Sequence, residues 1–162
     1  MKVLIVSDTH GNIDLLKSVV QRYRLTADIV IHLGDHLADF DEVMHEFPTI
    51  AHLGVLGNCD FAWMQTGARF EGSFSIESRR IFYTHGHKYN VKYGLEYIIS
   101  NAKLNKCDIV LFGHTHVSMC EEINGVLVIN PGSLAYPRDN SNGSYALLTI
   151  NGSNASCEIL EV

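Results

Sequence analysis

Two histidines in the run Gly113-His114-Thr115-His116 have the residue type and spacing that best suit metal chemistry in this chain. The run follows the apolar segment 108–112, which is typical of a buried strand. In a turn just beyond a strand end, both imidazoles can converge on one point. Histidine pairs also occur as solvated surface residues, so this run alone is only suggestive.

Four other short polar motifs each follow an apolar run that predicts a strand. They are Asp8-Thr9-His10, Gly34-Asp35, Gly57-Asn58-Cys59-Asp60 and His85-Gly86-His87. In open α/β sheets, ligands bind in the crevice at the carboxyl ends of the strands. Carboxylate, imidazole and carbonyl oxygen ligands suit hard or borderline divalent metals. The five motifs together predict a metal site; the alternative is a set of unrelated polar loop residues.

Composition sets the broad class of the protein. The chain has 162 residues, 46% of them hydrophobic, which suits one compact domain over residues 1–162. A net charge of −6 gives no electrostatic sign of general binding to nucleic acid or to an acidic membrane. The four cysteines form no C-x-x-C pair, no apolar run approaches the ~20 residues of a membrane span, and no signal peptide is evident. We therefore expect a cytoplasmic protein.

The first half of the chain alternates strands and helices. Strands are predicted at 2–7, 28–33 and 50–56, and helices at 12–24, with Asn12 as N-cap, and at 39–46. This β-α-β-α-β order predicts a parallel sheet with right-handed crossovers.

The second half changes character. A hairpin is predicted over 70–76 and 79–83, and then a helix over 91–104 with Tyr93, Tyr97, Ile98 and Leu104 as core candidates. Further strands are predicted at 108–112, 117–123, 125–129, 144–150 and 155–161, with turns at Asn124-Gly125 and Asn151-Gly152. The elements together indicate a mixed two-sheet core with helices outside.

The ordered motifs Asp-x-His, Gly-Asp, Gly-Asn-x-Asp, His-Gly-His and Gly-His-x-His span residues 8–116, and with them the chain resembles a calcineurin-like metallophosphoesterase. It is most similar to the small single-domain prokaryotic phosphodiesterases of that superfamily. The later run Asn130-Pro131-Gly132-Ser133 extends the resemblance over nearly the whole chain. The resemblance implies an α/β (α+β) fold, a four-layer αββα sandwich of two mixed sheets flanked by helices.

The resemblance also implies two divalent metal ions. The first would be bound by Asp8, His10 and His116, the second by Asn58, His85 and His114, and both by Asp35 as a bridge. Mn²⁺ is the first expectation, while Fe²⁺, Ni²⁺, Zn²⁺ and Co²⁺ also suit these ligands. The implied reaction is in-line attack on a phosphodiester by a hydroxide that bridges the two metals.

Simpler roles exist for several of these residues. Asp8 and Asp35 could each cap a loop or helix, and Asn58 could belong to an ordinary Gly-Asn turn. His85 and His87 compete for one ligand position, and the motif favours His85, with His87 supporting it or facing solvent. His32 lies inside a predicted strand and is interpreted as a packed histidine with satisfied hydrogen bonds.

The chain departs from many superfamily members at Cys59, where they carry a histidine able to protonate the leaving group. A thiol is a poor match for that acid, so diesters or activated substrates are favoured over simple alkyl monoesters. Asp60 either orients the site or caps a turn. Asn12 either faces the substrate phosphate or only caps a helix, and Arg138 either binds a phosphoryl oxygen or forms a surface ion pair.

The expected substrate is a small phosphodiester or nucleotide-like molecule rather than long nucleic acid or a membrane, and a homo-oligomer is compatible with the sequence. The alternatives are a phosphomonoesterase or nucleotidase, and a non-catalytic protein-binding scaffold of the same fold, as in the retromer subunit of this superfamily. Segments 61–70 and 134–143 are expected to shape the substrate pocket. Within the first, Phe61, Trp63, Met64 and Phe70 could form a base-stacking wall, a dimer contact or ordinary core.

Overall fold

The computed structural model describes residues 1–61 and 67–162, and within them ten strands form two five-stranded sheets. The first sheet has the order β10 (Asn154–Glu161), β9 (Ser144–Asn151), β1 (Lys2–Val6), β2 (Ile29–His32) and β3 (Ala51–Gly54). The second has the order β4 (Glu71–Ile76), β5 (Arg79–Thr84), β6 (Ile109–Leu111), β8 (Val126–Pro131) and β7 (Ser118–Ile123). Among the described residues, no helix combines the length and apolarity needed to cross a bilayer.

Parallel pairing of β1, β2 and β3 confirms the predicted β-α-β-α-β unit. Its crossovers are α1 (Ile13–Tyr23) and α2 (Leu37–His45), whose apolar stripes pack on the outer face of the first sheet. Asn12 caps α1 as predicted, because its side-chain oxygen accepts a hydrogen bond from the Leu15 amide at 3.3 Å.

In the second sheet, β5, β6 and β8 are parallel, so three further strands end at one edge. The predicted hairpins form between β4 and β5, β7 and β8, and β9 and β10. Asn124 and Gly125 both have positive φ, as a tight turn requires. α3 (Glu96–Leu104) covers the outer face of this sheet.

The two sheets face each other across the main core, where apolar side chains of β1, β2 and β9 meet those of β5, β6 and β8. Helices cover both outer faces, which confirms the αββα sandwich. The strands of the two parallel sets therefore present their carboxyl ends, and the loops that follow them, to a shared edge of the molecule.

The third helix was predicted too long, and three of its core candidates are wrong. α3 begins at Glu96 rather than 91, and its buried stripe is formed by Ile98, Ile99 and Ala102. Tyr97 and Leu104 lie beside that stripe and are exposed, while Tyr93 precedes the helix and is 93% exposed. Gly94 breaks the helical pattern that the apolar spacing suggested.

Candidate metal centre

The loops after five parallel strands bring all seven predicted ligands to one edge of the sandwich. The positions are Asp8 and His10 after β1, Asp35 after β2, Asn58 after β3, His85 after β5, and His114 and His116 after β6. Residues from both sheets thus meet across the crevice. Along the chain these ligands are up to 108 positions apart, from Asp8 to His116.

Four of these side chains form a first group. Ligand-type atoms of Asp8, His10, Asp35 and His116 all lie within 4.8 Å of one another. His116 Nε2 is 3.1 Å from Asp8 Oδ1 and 3.3 Å from His10 Nε2. His10 Nε2 is 3.8 Å from both Asp8 Oδ1 and Asp35 Oδ2. The arrangement matches the first predicted ligand set together with the predicted bridge.

A second group lies on the other side of Asp35. His85 Nε2 is 3.1 Å from Asn58 Oδ1 and 3.5 Å from Asp35 Oδ1, and the rings of His85 and His114 have centroids 5.0 Å apart. Asp35 therefore turns one carboxylate oxygen to each group. A carboxylate in that position can serve two cations at once and offset their mutual repulsion.

The donor set fits a bound cation. Asp8 Oδ1 is buried and has no hydrogen-bond partner, a costly state for a carboxylate oxygen unless a cation satisfies it. The Nδ1 atoms of His85 and His116 donate to the carbonyls of Leu33 at 2.7 Å and Tyr136 at 2.6 Å. Each bond leaves Nε2 as the free lone pair aimed at the site, the usual arrangement for a metal-binding histidine.

Much of the ligand set sits in an unusual backbone conformation. Five of the seven residues have positive φ between 44° and 68°, namely Asp8, His10, Asp35, His114 and His116. Such conformations cost non-glycine residues roughly 1–3 kcal/mol each and persist only where the surrounding fold enforces them. The fold thus holds these side chains in place against the local preference of the chain.

Asp60 positions the bridge. Its carboxylate accepts hydrogen bonds from the amides of Asp35 at 2.9 Å, Leu37 at 2.8 Å and Gly57 at 2.7 Å. These bonds fix the loop of Asp35 and satisfy a free amide at the start of α2. The two roles left open by the sequence, orienting the site and capping a turn, are thus served by the same carboxylate.

Sequence reasoning missed several supporting residues of the first loop. Asp39 Oδ2 accepts hydrogen bonds from the Gly11 amide at 2.8 Å and from the Thr9 hydroxyl at 3.2 Å. Ser7 Oγ donates to Asp8 Oδ2 at 2.6 Å. As predicted, His32 is fully buried with both ring nitrogens engaged, by the Gly34 amide and by Thr9. No local pattern distinguishes Ser7 or Asp39 from ordinary loop and helix residues.

The run 130–133 supports the site from the other sheet. Asn130 Nδ2 donates to the Gly113 carbonyl at 3.0 Å and to the Thr115 hydroxyl at 2.9 Å. Ser133 Oγ donates to the Asp8 carbonyl at 2.8 Å. The sequence singled out this run as a motif, but only the fold shows that it braces two of the ligand loops.

The first carboxylate is held ionised. Burial raises the pKa of the Asp8 carboxyl, but contact with His116, the charge of His85 and the Ser7 hydrogen bond outweigh it, so the pKa lies at about 2. Burial also lowers the pKa of His116, and the Asp8 contact outweighs that effect and raises it. The Asp8 carboxylate thus favours positive charge beside His116 Nε2, and a metal ion bound there would supply that charge in place of a proton.

Two other imidazoles are held neutral. Burial lowers the pKa of His10 despite the nearby carboxylates. Burial, followed by the charges of His85 and Lys92, lowers the pKa of His114 to about 4. A neutral imidazole offers the lone pair that metal ligation requires.

Cys59 lies beside the second group and is exposed. Its amide donates to Asp35 Oδ1 at 2.8 Å, and Asn58 Nδ2 donates to its sulfur at 3.3 Å. Partial desolvation of the sulfur and the nearby Asp35 carboxylate raise the pKa of the Cys59 thiol to about 11. The thiol is therefore a weak proton donor.

The remaining predicted residues lie at the rim. His87 is half-buried with its ring 5.3 Å from that of His85, but the structure puts His85, not His87, against Asp35. Arg138 is exposed, and its amide donates to the His116 carbonyl at 2.8 Å. Phe61 is 73% exposed and Phe70 packs against the core beneath α1 and α2, while Trp63 and Met64 lie outside the described residues.

Comparisons with known proteins agree with this geometry. The model of the calcineurin-like phosphoesterase superfamily domain matches residues 1–153. The chain is 36% identical over 163 residues to the probable metallophosphoesterase YsnB of Bacillus subtilis, covering 96% of this chain and 88% of that protein. It is 33% identical over 147 residues to the phosphodiesterase MJ0936 of Methanocaldococcus jannaschii, covering 82% and 83%.

The fold is similar to that of a solved protein of Streptococcus pneumoniae TIGR4 described as a predicted phosphoesterase. The TM-score is 0.84 at 26% identity, and the match covers 99% of this chain and 88% of that one. Sequence, fold and site geometry thus give one answer. The chain belongs to the calcineurin-like phosphoesterase superfamily.

Proposed function

We propose that this protein is a metal-dependent phosphodiesterase with two divalent ions at the candidate metal centre. The observation that supports the proposal is the position of the Asp35 carboxylate, with one oxygen 3.8 Å from His10 Nε2 and the other 3.5 Å from His85 Nε2. The names of the superfamily relatives, a metallophosphoesterase and a phosphodiesterase, support it.

In this proposal Asp8, His10 and His116 hold one ion, Asn58, His85 and His114 hold the other, and Asp35 touches both. When bound, divalent ions of this kind activate water as a nucleophile at neutral pH and polarise phosphoryl oxygens. The mixed carboxylate, imidazole and amide ligands suit Mn²⁺ first, and then Fe²⁺, Zn²⁺, Ni²⁺ or Co²⁺.

The chain's own residues set up that chemistry. Asp8 and Asp35 supply the negative charge of the site. Asn58 is a neutral ligand, so it adds nothing to the total negative charge. Hydrogen bonds from His85 and His116 to carbonyls fix the direction of their rings, so no reorganisation is needed when an ion binds. Arg138 stands at the rim, where its guanidinium can bind a phosphoryl oxygen.

The substrate in this proposal is a small phosphodiester or nucleotide-like molecule. Cys59 argues against simple alkyl monoesters, because their leaving group needs a proton donor and the thiol is a weak one. A protein-binding scaffold of the same fold would tolerate loss of ligands. Here all seven positions hold competent ligand types and converge, which favours catalysis.

The test is hydrolysis of bis(4-nitrophenyl) phosphate and of 4-nitrophenyl phosphate by chelator-stripped protein with each metal added back. Asp35→Asn should lose about 100-fold or more in diester turnover, because loss of a direct ligand should cost at least as much as loss of an outer-shell partner. Glu42→Gln, an exposed carboxylate on α2, is the matched control and should keep full activity. Equal activity of wild type and Asp35→Asn, or no diester turnover with any metal despite metal binding, would refute the proposal.

A further inference from the structure

A groove of about 390 Å³ lies beside the candidate metal centre, between the segment that precedes α3 and the loop that follows β6. Its walls are apolar, formed in part by Val91, Leu95, Phe112 and Met119. Its two charged lining residues are Lys92 and Arg138, both exposed. The family resemblance assigns no role to these walls or to Lys92.

The groove adjoins the loop that carries two of the predicted metal ligands. Thr115 lines it and stands between the two ligands His114 and His116. On the same side, the Arg138 amide donates to the His116 carbonyl at 2.8 Å. A molecule with its phosphoryl group at the ligands would therefore have the groove next to the loop of His114 and His116, where a second arm could lie.

The charge of the groove contrasts with that of the chain. The protein carries a net charge of −6, yet among the residues that the structure describes the groove is lined by two cations and no carboxylate. Apolar walls with cations beside them suit an occupant with an apolar body and negative charge.

We propose that this groove binds the second ester arm of the phosphodiester, and that the preferred arm has an apolar body carrying a negative charge of its own. The inference rests on the proposed phosphodiesterase function and adds the substrate class. Val91, Leu95 and Met119 contact the apolar body, and Lys92 pairs with its anionic group. Arg138 stands between the groove and the metal centre and serves both.

The first test compares three diesters that share a 4-nitrophenyl leaving group. Their second arms are 4-carboxyphenyl, the neutral isostere 4-carbamoylphenyl, and methyl. We expect kcat/KM to be highest for the carboxyphenyl arm, about 3-fold to 10-fold above the carbamoyl isostere at low salt, as for one or two exposed ion pairs. The methyl arm, which cannot reach the walls, should be the poorest. Equal values for the carboxyl and carbamoyl arms would overturn the proposal.

Variants assign the selectivity to the groove. Lys92→Gln should lower the carboxyl-to-carbamoyl ratio about 3-fold to 5-fold through KM. Lys103→Gln, an exposed lysine on α3 that does not line the groove, should leave the ratio unchanged. Met119→Glu, which places a carboxylate in the wall, should reverse the preference. If neither Lys92→Gln nor Met119→Glu changes the carboxyl-to-carbamoyl ratio, the arm binds elsewhere and the proposal is wrong.

A binding measurement separates this inference from the proposed activity. In Zn²⁺-loaded protein labelled at the methionine methyl groups, the non-hydrolysable 4-carboxybenzylphosphonate should shift the Met119 resonance while the buried Met44 resonance stays fixed. That shift without turnover of any diester would refute the activity and keep the groove as an anion-binding site. Diester turnover without arm selectivity and without a Met119 shift would keep the activity and refute the groove, leaving a protein partner as its occupant.

Discussion

The Nε2 atoms of His10 and His116 face each other at 3.3 Å, although the residues are 106 positions apart in the chain. His116 donates its Nδ1 proton to the Tyr136 carbonyl, so in the neutral ring its Nε2 is a lone pair. Two lone pairs directed at one point repel each other unless a proton or a metal ion lies between them. Positive φ at both residues shows that the fold, rather than local preference, holds this geometry.

Gly57 is required by the close approach of the Asp35 loop. A Cβ at Gly57 would collide with the Asp35 carboxylate and with its backbone amide. We therefore expect Gly57→Ala to displace Asp35 and to weaken metal binding by about 10-fold to 100-fold. Isothermal titration of metal-free protein with Mn²⁺ measures this loss.

Gly94→Ala is the matched control for that experiment. The atoms nearest to its added methyl would be those at the flexible end of the Glu96 side chain, which can move away. Metal affinity of this variant should equal that of the wild type. Equal affinity of the Gly57→Ala protein would contradict the argument from close approach.

Asp60→Asn should damage the site without removing any ligand. The amide group of asparagine presents a donor to backbone amides that are themselves donors, so at least one of three hydrogen bonds is lost. We expect a loss of about 1–3 kcal/mol in the free energy of unfolding and about 10-fold to 100-fold in diester kcat/KM. Urea unfolding and steady-state kinetics give the two values.

Asp28→Asn tests whether that effect is specific. Asp28 accepts a single backbone amide bond, from Lys2, at the opposite end of the first sheet. Its loss should reduce stability slightly and leave kcat/KM unchanged. If both variants lower kcat/KM equally, Asp60 acts only through global stability.

Cys59→His should raise activity on monoesters. An imidazole at this exposed position beside Asn58 can protonate a leaving alkoxide, which the thiol does poorly. We expect a gain of about 10-fold or more in kcat for an alkyl phosphate monoester, with a smaller change for an activated aryl diester. Cys59→Ala should show no gain, and a gain there would assign the effect to steric relief instead.

Asp139, which lies in the same loop as Tyr136, should make the free energy of unfolding depend on pH. Hydrogen bonds from the Ser118 amide at 2.8 Å and hydroxyl at 2.7 Å, with smaller help from Ser141, outweigh burial and hold the pKa of Asp139 well below its usual range. The folded-state pKa is thus below the unfolded value of about 3.9, so the stabilisation is present above about pH 4 and is lost as pH falls further. Asp139→Asn should cost about 1 kcal/mol at pH 6, and less at pH 3.

Chemical unfolding of both proteins at pH 6 and pH 3 checks this dependence. Glu42 has no such hydrogen bonds among the described residues. The free energy of unfolding of Glu42→Gln should therefore differ from that of the wild type by the same small amount at pH 6 and at pH 3. If the difference in free energy of unfolding between wild type and Asp139→Asn is larger at pH 3 than at pH 6, the predicted direction of the pH dependence is wrong.

Sequence alone predicted the parts of this protein that depend on local pattern and chain order. Apolar runs gave the strands, because a strand buried on both faces must be continuously apolar, and the motifs after them placed seven ligand candidates at strand ends. Helix α3 shows the limit. Apolar spacing at Val91, Tyr93 and Tyr97 imitates a helix, yet only packing against the second sheet decides which side chains are buried.

Tertiary structure alone decided how the ligands meet. The left-handed backbone at Asp8, Asp35 and His116 has no local sequence signal, because none of these is the glycine that such a conformation favours. The hydrogen bond between Asp60 and the Asp35 loop and the groove lined by Thr115 join segments distant in the chain. Such contacts exist only once two sheets have packed, since their energy comes from neighbours that the sequence does not place side by side.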